Sequence, residues 1–199
     1  MRKKKANDLE AKVQENKNRI ITLLKSTERP GIDGLIGWLQ ESDYFTAPAS
    51  TRLDYHGCHE GGLAQHSLNV YEVFEEKAKT YGLDLRKDEI IIASLLHDAC
   101  KIDVYQPNTL KSGNLSESKP YVMKDDFPMG HGEKSAFLVR RYIQMTMNET
   151  LLIRWHMGNF DGEWENYRER VENACPAIYA FQHSDDEASK YMDHKARRQ

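Results

Sequence analysis

The sequence predicts an all-α domain with an N-terminal helical extension. Three observations carry this expectation. Apolar residues recur at helical spacing along most of the 199-residue chain, no stretch shows sustained strand alternation, and clusters of Pro, Gly and Ser punctuate the periodic segments. The length suits one medium domain with enough chain to bury a sizeable core.

The elements follow in order. A first helix is expected over about residues 5–27, with Ile20, Ile21, Leu23 and Leu24 at its apolar end and Pro30-Gly31 as its stop. A short second helix runs from Ile32 to Leu39. Residues 43–62 read as a loop ending in Gly61-Gly62. A third helix is expected over Leu63 to Tyr81 and a fourth over Lys87 to Ile102. The polar stretch from Asp103 to Gly130, with Pro107, Gly113, Pro120 and Pro128, reads as a long loop and is expected to act as a mobile lid. Helices are then expected at about 131–146, 148–158 and 176–192. This divides the chain into an extension over 1–42, a body over 43–192 and a basic tail over 193–199.

Composition narrows the functional classes. The formal net charge is −3, but the two ends carry seven of the 28 basic residues, and the chain without those seven holds 21 basic against 31 acidic residues and stands at −10. Broad duplex-DNA binding is not supported, because such a domain presents a basic face. No apolar run approaches the roughly 20 residues of a membrane span. The basic start Met1-Arg2-Lys3-Lys4-Lys5 has no apolar signal core after it. Cys58, Cys100 and Cys175 are isolated, which fits neither a disulfide framework nor a zinc ribbon. A reducing cytoplasm is the expected location.

The chemistry is carried by polar residues at positions that should be buried. The apolar run Ile90 to Leu96 ends in His97-Asp98, with Lys101 three residues on. A buried carboxylate costs several kcal/mol unless it is paired or holds a cation. In the third helix, Leu63, His66, Val70, Val73 and Phe74 share a face, so His66 lies in the apolar stripe. In the last helix, Ile178, Phe181, Asp185, Ala188 and Met192 share a face, while Asp186 is rotated by about 100°. Asp185 therefore binds a metal or pairs with one of Arg140, Arg141 and Arg154. His156 follows Leu152 and Ile153 and faces inward near a helix end. His131, between two glycines, stands at a helix start. Imidazole and carboxylate together suit Mn, Fe, Co, Ni or Zn better than Mg or Ca. Lys101 is placed to neutralise phosphoryl charge. Lys134, Arg52 and His56 are further candidates for phosphate contact, and Trp155 and Tyr121 either stack on a base or pack.

Longer strings sharpen the pattern. His56-Gly57 is followed by Glu60-Gly61-Gly62-Leu63-Ala64-Gln65-His66-Ser67. Then come Leu95-Leu96-His97-Asp98-Ala99-Cys100-Lys101-Ile102, Pro128-Met129-Gly130-His131-Gly132-Glu133-Lys134-Ser135 and Ile153-Arg154-Trp155-His156-Met157-Gly158. With Asp185 they resemble the H…HD…D signature of the HD-domain metal-dependent phosphohydrolase superfamily over about residues 43–192. Within it they resemble a bacterial and phage subfamily, and the Gly-Gly-Leu…His portion also resembles the HD domain of certain bacterial 3′→5′ exoribonucleases.

The resemblance implies an all-α HD fold around one or two divalent transition-metal ions. It makes His66, His97, Asp98 and Asp185 the first-ion ligands. His131 and His156 resemble the extra histidines of the two-metal branch, with Asp98 bridging. Two departures stand out: Met157 follows His156 where several two-metal members have a second histidine, and Ser184 precedes Asp185 where alanine is usual. The implied activity is hydrolysis of a phosphate monoester or diester, in a nucleotide or short oligonucleotide, by metal-activated water. The alternative is an HD scaffold that binds a nucleotide as a sensor or sequestering protein. A purely structural zinc domain fits less well, since such sites are closed by their ligands.

Overall fold

The computed structural model describes residues 2–193. Among them, eight α-helices are joined by turns, a loop over 42–61 and one small hairpin. In chain order the helices are α1 (Arg2–Lys25), α2 (Ile32–Glu41), α3 (Gly62–Tyr81), α4 (Lys87–Leu96), α5 (His131–Arg140), α6 (Met147–Trp155), α7 (Trp164–Ala174) and α8 (Ile178–Glu187). The all-α expectation is met. The expected basic tail lies outside the described residues, except for Asp193, and so do the side chains of Arg2 to Lys5.

Helix α3 is central: α4, α8 and α1 pack against it, while α6 packs on α4 and α5. One buried cluster joins Leu63, Val70 and Phe74 of α3 to Ile91, Leu95, Leu152, Ile178 and Phe181. Ile20 and Leu24 of α1 and Leu35 and Leu39 of α2 belong to the same cluster. Each such side chain contributes about 1.5–3 kcal/mol by leaving water.

The structure corrects several boundaries. Helix α4 stops at Leu96, short of the expected Ile102. Its C-terminal residue His97 keeps helical angles, Asp98 leaves them (φ −101°, ψ 21°), and a 3₁₀ turn follows over Ala99–Lys101. Helix α7 was not anticipated. Its sequence is polar, with Trp164 and Val171 as its buried residues. The stretch 103–130 is not structureless: β1 (Tyr105–Pro107) pairs antiparallel with β2 (Tyr121–Met123). Three-residue strands are too short to show alternation in a sequence. The last expected helix ends early, at Glu187, and continues as a π-helical turn over Ala188–Met192.

An ion-pair hub fixes the turn after α1. Arg29 Nε reaches Asp88 Oδ2 at 2.7 Å and Nη1 reaches the Gln144 carbonyl at 3.0 Å, while Nη2 bonds Glu149. Glu149 is fully buried and also closes a capping box with Thr146 at the start of α6. Burial raises its carboxyl pKa, against the pull of the Thr146 backbone N–H and of Arg29. Arg29→Met should therefore cost about 3–5 kcal/mol, because it strands a buried carboxylate. Urea unfolding measures this, and a loss under about 1 kcal/mol would mark the pair as surface-like.

Candidate metal centre

Two helices end in the same way. His97 closes α4 and donates Nδ1–H to the Ser94 carbonyl at 2.9 Å, and His156 closes α6 and donates Nδ1–H to the Ile153 carbonyl at 2.8 Å. Each bond uses a carbonyl that a helix end leaves free. It also fixes the tautomer, so that each Nε2 presents a lone pair. A third imidazole is oriented by a carboxylate: His66 Nδ1 lies 2.8 Å from Asp193 Oδ2, and Asn69 Nδ2 donates to Asp193 Oδ1 at 2.6 Å. All three Nε2 atoms are buried without a hydrogen-bond partner. Three buried imidazole nitrogens aimed at one place beside carboxylates call for a cation, since an unmet buried polar atom costs about 1–3 kcal/mol.

The break in α4 explains how His97 and Asp98 serve one site. In a continuous helix their side chains would diverge by about 100°. With Asp98 outside helical geometry, its Oδ2 lies 3.4 Å from His97 Nε2 and 3.8 Å from His66 Nε2. Asp185 Oδ1 joins this half, 3.0 Å from His66 Nε2 and 3.9 Å from His97 Nε2. The other Asp98 oxygen, Oδ1, faces His131 Nε2 at 3.3 Å and His156 Nε2 at 3.6 Å. The six side chains thus form two half-sites that share Asp98.

Glycines permit this approach. A Cβ at Gly132 would stand 2.2 Å from the Arg154 carbonyl oxygen, so α5 starts against the end of α6 only because residue 132 has no side chain. A Cβ at Gly62 would stand 1.9 Å from the Gly57 oxygen, which keeps the His56 loop against the start of α3.

The electrostatics favour positive charge. Burial disfavours ionised Asp98, yet Lys101, His97 and His131 hold it well below the usual carboxylate range. Lys101 Nζ donates to Asp98 Oδ2 at 2.7 Å, and this contact keeps the buried ammonium charged. Burial opposes protonation of His66 too, but Asp185 and Asp193 outweigh it and push the ring up to about 10. Burial likewise opposes protonation of His131, which Asp98 and Cys100 raise to about 9. The carboxylates thus gather protons where a divalent cation would offer a denser charge. Three groups of side chains have ligand atoms within 4.8 Å of one another: His66, His97 and Asp185; Asp98, Cys100 and His131; and His56, His66 and Asp193. The residues fit a metal.

Asp98, His131, His156 and Asp185 of the centre line a cavity of about 640 Å³, together with His56, Lys101, Met157, Phe160, Arg168 and Tyr179. Of the four expected phosphate-contact residues, Lys101 and His56 are in the cavity. Burial, with the nearby charges of His66 and Lys101, lowers His56 to about 4, so it meets a ligand as a neutral ring. The other two stand elsewhere. Arg52 is exposed and pairs with Asp54 at 3.0 Å, and Lys134 is buried against Asp125 at 2.8 Å. Lys134 belongs to the inner face of α5, which the spacing of its neighbours did not show. Trp155 is a packing residue, with Arg154 3.9 Å from its ring centre and the Tyr167 ring tilted against it at 5.3 Å. The 103–130 hairpin does not line the cavity either. Tyr121 N donates to the Thr51 carbonyl at 3.4 Å and Leu53 N to the Ser118 carbonyl at 3.2 Å, so the hairpin braces the loop that carries His56.

Two participants escaped the sequence reading. Asp193 lies just past the expected end of the last helix, and the π turn brings it back onto His66. Asn69 stands three residues after His66, on the same face of α3, and that spacing was the available signal.

The fold and this centre define an HD domain. The chain matches the HD domain family over residues 63–189, well over half its length, and it belongs to that family of metal-dependent phosphohydrolases. It is also similar to a dihydroneopterin 2′,3′-cyclic phosphate phosphodiesterase of Methanocaldococcus jannaschii, at 32% identity over 135 residues. That alignment covers 59% of this chain and 51% of the relative, so the chain spans about half the length of the curated protein it matches. No solved structure matches the chain at a significant level. Among the described residues, no helix is long and apolar enough to cross a membrane.

Proposed function

We propose that the chain hydrolyses a phosphate ester of a small nucleotide-like molecule, with a cyclic phosphodiester as the first substrate to test. One observation carries the reading: three buried imidazole nitrogens and two carboxylates converge, and His156, Asp98 and Asp185 of that cluster open onto a cavity large enough for a small ligand. The relative's name, a phosphodiesterase of a cyclic phosphate, supports the diester.

In this reading His66, His97, Asp98 and Asp185 hold a first divalent ion, and Asp98, His131 and His156 hold a second. A bound ion lowers the pKa of its water from about 15.7 towards 7 and polarises a phosphoryl oxygen. Asp98, kept ionised by Lys101, presents one oxygen to each half-site. Lys101 then offers its remaining N–H bonds to the phosphoryl group. Neutral His56, whose ring centre lies 4.8 Å from that of His66, hydrogen-bonds a phosphate oxygen without adding charge. The helix ends at His97 and His156 add their negative poles to the cation site.

Asp193 acts through His66, by holding its Nδ1 proton and its ring plane. Asp193→Asn should weaken metal affinity about 10–100-fold with the fold intact. Equilibrium dialysis reads this directly. Affinity unchanged within about twofold would make Asp193 a packing residue.

The reading is tested with the full chain loaded with Mn²⁺, Co²⁺ or Ni²⁺. The substrates are nucleoside 2′,3′-cyclic phosphates, mononucleotides, nucleoside triphosphates and short oligonucleotides. Turnover of at least one class, lost on chelation, is expected. Tight binding of a nucleotide with no turnover of any class would favour the sensor reading instead.

A further inference from the structure

The second half-site has a candidate ligand that neither the fold nor the nitrogen donors account for. Cys100 follows Asp98 by two residues, in the 3₁₀ turn over Ala99–Lys101, and is 2% exposed. Ligand atoms of Asp98, Cys100 and His131 lie within 4.8 Å of one another. The pairing of Cys100 with His131 is built in. Cys100 N–H donates to Ser135 Oγ at 3.0 Å, and Ser135 Oγ donates to the His131 carbonyl at 3.1 Å. One serine thus ties the turn after Asp98 to the first turn of α5. A second observation points to the same place: His156 Nε2, fully buried and unpartnered, lies 3.6 Å from Asp98 Oδ1.

We propose that Cys100 supplies a thiolate to the second ion, beside Asp98 Oδ1, His131 and His156. The inference rests on reading the centre as a metal site. A buried free cysteine usually behaves as a small apolar side chain. Cys175 does so, its thiol pushed up to about 11 mainly by burial. Cys100 instead adjoins an imidazole that itself faces a carboxylate. Binding replaces the S–H bond by a metal–sulfur bond and releases one proton to solvent. A soft donor also changes the metal order, since thiolate favours Zn²⁺ and Co²⁺ over Mn²⁺ at this position.

The test uses the metal-free full chain titrated with Co²⁺, followed by the sulfur-to-cobalt charge-transfer absorption in the near ultraviolet. In the wild type the band should grow with the second equivalent, not the first. In Cys100→Ser and Cys100→Ala the band should be absent and the second equivalent should bind at least about 10-fold more weakly, with the first unchanged. A Cys58→Ser, Cys175→Ser double variant, which keeps Cys100, should retain the band, so the result does not depend on Cys100 variants folding. Two bound equivalents without a band, or a band that survives in the Cys100 variants, overturns the proposal and leaves the metal centre standing. A single bound equivalent removes the second site and the proposal with it. No bound cobalt at all refutes the metal centre itself.

Discussion

Asp98→Ala is expected to abolish hydrolysis and to remove both ions, the largest effect of any single substitution in this chain. Its two oxygens serve two half-sites, facing His66, His97 and Lys101 on one side and His131 and His156 on the other. Loss of one preorganised electrostatic contact costs about 10²–10³ in turnover, and here one side chain makes contacts for two ions. The loss should therefore exceed that range. Removing the carboxylate also leaves the Lys101 ammonium buried without its partner. The variant should bind no metal at concentrations that saturate the wild type, by plasma emission analysis of the dialysed protein. Metal content and turnover near wild type would rule out the centre. Asp98→Asn keeps the volume and guards against a folding defect.

Asp185→Asn should lose most turnover, whereas Asp186→Asn should retain most of it. Asp185 Oδ1 stands 3.0 Å from His66 Nε2, and His66 and His97 hold its carboxyl far below the ordinary range against burial. Its neighbour Asp186 has a 56% exposed side chain and pairs with Lys190 at 3.4 Å. An exposed pair of that kind contributes about 0–1 kcal/mol to stability. Steady-state rates and metal content of the two variants separate the assignments. The reverse pattern would place the final ligand one residue on.

The sequence made much of this legible, for a definite reason. His66 and Asp185 sit in apolar helical stripes, so their inward direction followed from periodicity alone. His97-Asp98 stood at the end of an apolar run, which signalled burial. What the sequence did not show was the break at Asp98. Periodicity describes continuous helices, and the apolar residues up to Ile102 carry the pattern past the point where the backbone leaves it. Helix α7 stayed hidden because a helix on the rim buries few residues. Asp193 stayed hidden because a π turn changes the register after Glu187. Arg52 and Lys134 show a limit of another kind: a basic residue near a motif is visible as a candidate phosphate contact, while the carboxylate that each one pairs with is not. Charge identity is visible in a sequence, but its partner is not.

With the proposed function, turnover requires an ion held by the convergent imidazoles and carboxylates. The most direct measurement removes all metal from the full chain, reloads it stepwise with Mn²⁺ or Co²⁺, and records bound metal and nucleoside 2′,3′-cyclic phosphate hydrolysis on the same samples. No turnover is expected in the stripped protein, turnover should rise with occupancy, and Asp98→Asn should show neither occupancy nor turnover. Stripped protein that hydrolyses the ester as fast as loaded protein would contradict a metal-dependent reaction.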